Sequence, residues 1–471
     1  MEEEDQYYSL EEDNDAVLRF EEMLKDKKRC FFDVHEFEEI IDFYIDNCKY
    51  GDALYAVTIA SSQHPGSSSL QLKKARALMN SGKLFDALNI LRLLENIEKT
   101  NYEIFMLKGS VLLQCKDHKG AILQFEKVIE LCKKDGGEDI AEVFMDIASC
   151  FIQSGDVKTA VSFLEKAYKE DPVNKMILFE LAGCYDYLKF YDKSIALYNA
   201  YLEDHPFSKI IWNILGTAYR FIKMYDKALE AFDYAIAINE KYYPAYFNKA
   251  GIYSDQGNII EALDVYDELL RIDPENLHAL YYSGECYEKL EDIDNAEVYY
   301  KKVIEIDDRF ADGWFGLGVV NLYKGKFFES LYALRKAVKI DGNNPEYWFF
   351  LGKTNASLDF MEDAVRAYKK AVALDPYDDE FWICYSDLFY RYDRIDDAID
   401  ILKEGYDFNT DNADISFRLA AYLLKSRNPD QALIYLKKGL LTNHKKLEVL
   451  FDIYPEAIQN DRIKNMISGY K

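Results

Sequence analysis

The chain has 471 residues, 49% of them hydrophobic and 30% charged, with a formal net charge of -27. That apolar content excludes bulk disorder, and the negative balance argues against nucleic acid or membrane lipid as the main ligand, since both call for a cationic surface. No run approaches the ~20 apolar residues of a bilayer span; Met1 to Leu10 is acidic rather than signal-like, and the eight cysteines form no Cys-x-x-Cys pair, a pattern expected of a reduced, cytoplasmic protein.

Residues 1–33 read as an acidic lead-in with one amphipathic stretch, Ala16, Val17, Phe20 and Leu24. From there a small residue returns at a fixed step: Ala53, Ala87, Ala121, Ala160, Ser194, Ala228, Ala262, Ala296, Ser330, Ala364, Ala398 and Ala432. The step is 34 residues except once, where it is 39. A period of that length means stacked copies of one small unit, because a single helical hairpin cannot bury its own apolar stripe.

Each unit carries a bulky slot (Phe37, Phe105, Phe144, Trp212, Trp314, Trp348 and Trp382 among its occupants), then a small residue four positions on (Ala75, Gly109, Ala148, Gly216, Gly284, Gly318, Gly352). Three further comes an aromatic slot such as Tyr44, Phe151 or Tyr219, so spacings of four and three set one stripe of a first helix. A second helix begins near the turn alanine and places a large residue four positions later, for example Phe125, Tyr198, Phe232, Tyr300 and Tyr368. Pro65, Pro172, Pro206, Pro274 and Pro376 close individual units. Cys150, Cys184 and Cys286 share one slot and read as core filling. The long step falls at Lys133–Asp139, whose paired glycines and charges suggest a lengthened loop, either a surface insertion or a flexible elbow. After Lys446, Leu447, Leu450, Phe451, Ile458, Ile463, Met466 and Ile467 suggest closing helices over 447–471.

This alternation of bulky and small residues on a 34-residue step resembles the tetratricopeptide repeat family, over residues 34–446 as twelve units. Gln71 and Ser416 in the bulky slot and Ile41 in the small slot depart from its pattern. The resemblance implies an all-α, right-handed superhelical solenoid of about twelve helix-turn-helix units with helical caps. It also implies a concave groove that takes extended peptides or partner helices.

One residue after the bulky slot runs a row that borders the packing stripe, since one position is ~100° around a helix. By resemblance it lines the groove through Phe179, Asn213, Phe247, Tyr281, Phe315 and Phe349, with small shelves at Gly183, Thr217 and Gly251. Tyr187, Arg220, Phe221 and Glu285 project to the same side. Two readings stay open: an exposed groove, or rings covered by the adjacent first helix as ordinary core. An open groove predicts that Phe247→Ala with Phe315→Ala spares stability.

Nothing in the sequence suggests chemistry. The six histidines are scattered without His-x-x-x-His spacing, and phosphate loops, nucleophile elbows and dinucleotide fingerprints do not occur. No catalytic residue, metal or cofactor is expected. The function expected is a non-enzymatic scaffold for a protein or peptide partner; the acidic surface either favours a basic partner or, more simply, keeps a long open molecule soluble. The alternative is a sensor of a peptide or small molecule that changes superhelical shape on binding. The sequence leaves the oligomeric state open.

Overall fold

The computed structural model describes residues 15–26, 30–135 and 139–469. It is 81% helical, with no strand among the described residues. No helix among these residues is long and apolar enough to cross a membrane.

Local chemistry sets where helices start. Most first helices open on a side chain that accepts one of the orphan backbone N–H groups. Asp33 does so in a reciprocal capping box with Glu36, and Ser67, Asn101, Asp139, Asn174, Asn276, Asn344, Asp378 and Asn412 repeat the device. Between the paired helices the chain reverses through a single residue in the left-handed region. Gly82, Gly155, Gly257 and Gly325 take it freely, whereas Cys48, Lys116, Lys189, Lys223, Glu291, Asp359, Asp393 and Arg427 take it with φ between 55° and 62°. Those twelve positions keep the period of the turn alanines, so the repeat is a repeat of backbone conformation as well as of side chains.

The small slot lets helix backbones approach. A Cβ on Gly284 would lie 2.6 Å from the Tyr300 ring, one on Gly318 2.6 Å from Leu334, and one on Gly352 2.7 Å from Tyr368. In each case the large residue of the second helix fills the room that the missing side chain leaves. The tryptophans add a tie that periodicity does not reveal. The indole Nε1 of Trp212, Trp314, Trp348 and Trp382 donates to the carbonyl six residues earlier, that of Pro206, Asp308, Gly342 and Pro376. In these four units the bulky slot thus anchors the first helix to the loop that precedes it.

The chain divides into two bodies, residues 1–224 and 225–471. In the first, the helix Asp15–Asp26 lays Ala16, Val17, Phe20 and Met23 on the first hairpin, Val34–Asp46 with Tyr50–Gln63, where Phe20 meets Phe37 and Tyr44 edge-on. Hairpins Ser68–Asn80 with Leu84–Ile97, Tyr102–Gln114 with His118–Asp135, Ile140–Gln153 with Val157–Glu170, and Lys175–Tyr187 with Tyr191–Asp204 follow. The helix Lys209–Phe221 ends the series. The expected loop at the long step proves partly helical. Lys133, Lys134 and Asp135 continue the preceding helix, where the lysines complement its C-terminal dipole, and Asp139 caps the next one. Residues 136–138 lie outside the described residues, as do 1–14 and 27–29 of the acidic lead-in.

The second body opens with Tyr225–Ile238 and continues with Tyr243–Asp255 and Ile259–Ile272, Leu277–Lys289 and Ile293–Ile306, Ala311–Tyr323 and Phe327–Ile340. Pro345–Ser357 with Met361–Leu374, Asp379–Arg391 with Ile395–Phe408, and Ala413–Lys425 with Pro429–Asn443 complete it. Beyond them short helical turns place Leu450, Ala457 and Ile463 against Phe417, Leu436 and Leu440. Ile458, expected in that closing contact, instead faces solvent.

Candidate partner-binding surface

In the first body, the helices Lys175–Tyr187 and Lys209–Phe221 carry an exposed apolar face. Phe179 is 37% exposed, Tyr187 72% and Phe221 62%. Phe179 rests on Tyr201 with ring centroids 5.2 Å apart, and Phe221 stacks on Tyr191 at 5.1 Å, so each ring is held in place while one side stays open. Gly183 is exposed between Phe179 and Tyr187, with no atom within 4 Å of where a Cβ would stand. Asn213, Thr217 and Arg220 are half-buried along the second of these helices, where the Thr217 hydroxyl donates to the Asn213 carbonyl at 2.9 Å.

Two further apolar residues join this face without having been expected. Met176 and Ile210 are both exposed, each one turn before the row residue of its helix. Their slot is the third residue before Phe179 and Asn213. Its occupants down the chain are legible as a series: Met176, Ile210, Pro244, His278, Asp312, Glu346, Glu380, Asp414. It is apolar at Met176 and Ile210 of the first body and turns acidic within the second, from Asp312 onward.

In the second body, the row follows the covered alternative. Tyr281 and Phe315 are 9% exposed and Phe349 3%. Phe315 lies 4.9 Å from Tyr347 and 5.4 Å from Phe350, and Phe349 lies 4.6 Å from Phe381. Half-buried Phe247 packs on Tyr266, His278 and Tyr282. Phe315 and Phe349 are thus sealed by rings of the next first helix, standing 32 or 35 residues on, whereas Tyr281 is covered by Tyr282, Tyr300 and Phe310. The equivalents for Phe179 are Ile211 and Ile214, smaller side chains that leave its ring open. Tyr281, Phe315 and Phe349 are therefore core residues, and the expectation that they anchor a partner directly is corrected. Gly251 is half-buried.

Above these sealed rings the second body presents carboxylates. The Tyr281 hydroxyl donates to Glu285 Oε1 at 2.9 Å, and that of Tyr347 to Asp312. Burial raises the Glu285 carboxyl above its ordinary range despite the tyrosine bond. Burial also raises Glu346, and the charges of Glu285, Asp378 and Asp312 add to the effect. Glu288, on the same helix as Glu285, is pushed up to about 7, first by burial and then by Glu285. Its Oε1 is buried without a hydrogen-bond partner. Charge in this region is poorly compensated, which a cation would relieve.

Asp414 and Glu380, in the same slot as Asp312 and Glu346, are answered internally. Arg418 grips both oxygens of Asp387 at 2.9 Å and Asp414 at 2.6 Å, and Lys353 reaches Glu380 at 3.3 Å. Among the described residues no cluster of His, Cys, Asp and Glu has the arrangement of a metal site.

Family models described as tetratricopeptide repeat match residues 102–135, 145–209, 179–243, 254–318 and 345–378. Protein PHOX1 of Arabidopsis thaliana is 30% identical over 83 residues, 17% of this chain; the match spans only 11% of that relative. Among solved structures, yeast Tom70 is similar at 14% identity and a TM-score of 0.45, covering 92% of this chain and 98% of its own. The Cut9–Hcn1 hetero-tetramer of the APC/C is similar at 14% identity and a TM-score of 0.41, over 91% and 95%.

Proposed function

This chain belongs to the tetratricopeptide repeat family, and from that premise we propose that it is a non-enzymatic scaffold whose first body receives an apolar peptide or helix of a partner protein. The observation that carries this reading is the exposed set Phe179, Tyr187 and Phe221 around Gly183, extended by Met176 and Ile210. Contiguous exposed apolar area is uncommon on a protein surface and marks interaction sites. Rings already held on one side by Tyr201 and Tyr191 lose little freedom on binding, which suits them as anchors. Asn213, Thr217 and Arg220 supply polar groups along the same helix for an extended backbone.

The same partner chemistry extends to charge. Glu285, Asp312 and Glu346 of the second body would receive Lys or Arg side chains, and the gain is larger at Glu285 and Glu346, whose ionised forms are held at a cost. A basic segment is therefore the partner favoured there.

The test is co-purification from the native cell with mass spectrometry, run with the wild-type chain and with Phe179→Ala/Phe221→Ala. Loss of a stoichiometric protein from the variant, at unchanged melting temperature, is the expected result. Equal recovery by both baits would remove the first-body face from consideration.

A further inference from the structure

A second site lies on other hairpins of the first body. A cavity of about 700 Å³ opens beside the second helices Leu84–Ile97 and His118–Asp135. Arg92, Lys99, Lys127 and Lys134 line it, together with the carboxylates of Glu95 and Glu130. Four cations converging on one cavity are unexpected in a chain of net charge -27.

The two carboxylates are already answered. Glu95 is bonded by Lys108 from outside the lining and by Lys127 at 3.0 Å, and Glu130 by Lys134 at 2.5 Å. Burial opposes ionisation of Glu95, yet the two ammonium groups outweigh it and hold its carboxyl below the usual range. Lys127 is also fixed 5.1 Å above the Phe105 ring. Arg92 and Lys99 have no ion-pair partner among the described residues. Within the lining, positive charge exceeds negative by two.

Like charges gathered in one concave site repel, and the field they focus attracts an anion of matching charge. A phosphate monoester carries about -1.5 to -2 near neutral pH and presents oxygens that the planar guanidinium of an arginine fits in pairs. The cavity lies within the size range of small-molecule sites, about 300–1,000 Å³. Leu131 and Phe105 give it an apolar side. We propose that this cavity binds a small phosphate monoester, with the phosphate held by Arg92, Lys99 and Lys127 and the organic part against Leu131 and Phe105.

The experiment is isothermal titration of the full chain, in phosphate-free buffer, with phenyl phosphate and with phenol as the uncharged counterpart. Phenyl phosphate is expected to bind more tightly than about 1 mM while phenol gives no heat. Arg92→Gln/Lys99→Gln is expected to weaken binding at least about tenfold, since two charge-assisted bonds are lost. Its melting temperature should hold, because neither cation has an ion pair to lose. Absence of heat with phenyl phosphate, or equal affinity in the double variant, would overturn the proposal. Capture on phosphatidic acid vesicles without phenyl phosphate binding would also overturn it, by moving the phosphate source to a membrane. None of these outcomes depends on Phe179 or Phe221, so this site and the partner surface stand or fall separately.

Discussion

Gly183 offers a substitution that closes the proposed surface without loosening the fold. It stands four residues after Phe179 and four before Tyr187, on the exposed ridge between them, and the space over its Cα is empty to 4 Å. Glycine in a helix interior is about 0.8–1 kcal/mol less favourable than alanine, and leucine is close to alanine. Gly183→Leu should therefore stabilise the helix Lys175–Tyr187 by about 0.8 kcal/mol, a rise of at most a few degrees in a chain of this size. The added side chain would cover the shelf that a partner approaches. The assay pairs a urea or thermal melt with quantitative capture of native partners. Gly284→Leu serves as the opposite control. There a Cβ would sit 2.6 Å from the buried Tyr300 ring, so overpacking should cost about 1–3 kcal/mol or more. Two results would refute the reasoning. A marked drop in melting temperature for Gly183→Leu would mean the face is not open, and undiminished capture would mean no partner uses it.

The remaining predictions concern the second body. Phe315→Ala and Phe349→Ala should each destabilise by about 3–5 kcal/mol in urea titrations, as removal of a sealed core ring does; by the same logic Phe247→Ala with Phe315→Ala cannot spare stability. Glu288 has a folded-state pKa near 7 against 4.5 for a free glutamate. Between those values the folded state holds more protons, so its contribution to stability falls as pH rises through that window and the loss is complete above 7. The full span corresponds to about 3 kcal/mol. Glu288→Gln should accordingly flatten the difference between urea midpoints at pH 5 and pH 8; an unchanged slope would show the carboxylate to be better solvated than its buried Oε1 implies.

The architecture was legible because it is written in phase. Small residues such as Gly284 and Gly352 recur opposite Tyr300 and Tyr368, and that complementarity is a property of spacing alone. The surface was less legible, because one slot serves two purposes. Phe179 and Phe349 occupy the same place in the period, yet one is open and the other sealed. For this pair the difference lies in side chains 32 and 35 residues away, Ile211 and Ile214 in one case and an aromatic Phe381 in the other; Tyr281, followed at those positions by Gly313 and Gly316, is covered by Tyr300 and Phe310 instead. A reading confined to each unit's own residues misses that. Met176 and Ile210 were missed for a related reason: the slot is informative only as a series, where they stand against Asp312, Glu346 and Glu380. The charged cavity escaped because Arg92 and Lys127 belong to neighbouring units and are brought together only by stacking.

The left-handed turns carry a consequence for engineering. A side chain in that conformation costs about 1 kcal/mol relative to glycine, and Cys48, Lys116, Lys189, Lys223, Glu291, Asp359, Asp393 and Arg427 all accept the strain. Sites such as Cys48, Lys116 and Glu291 lie on hairpins that are not neighbours, so relieving them should act independently. Installing glycine at one, then another, would grade the thermal headroom of chosen segments while the helix faces that meet other molecules stay chemically unaltered.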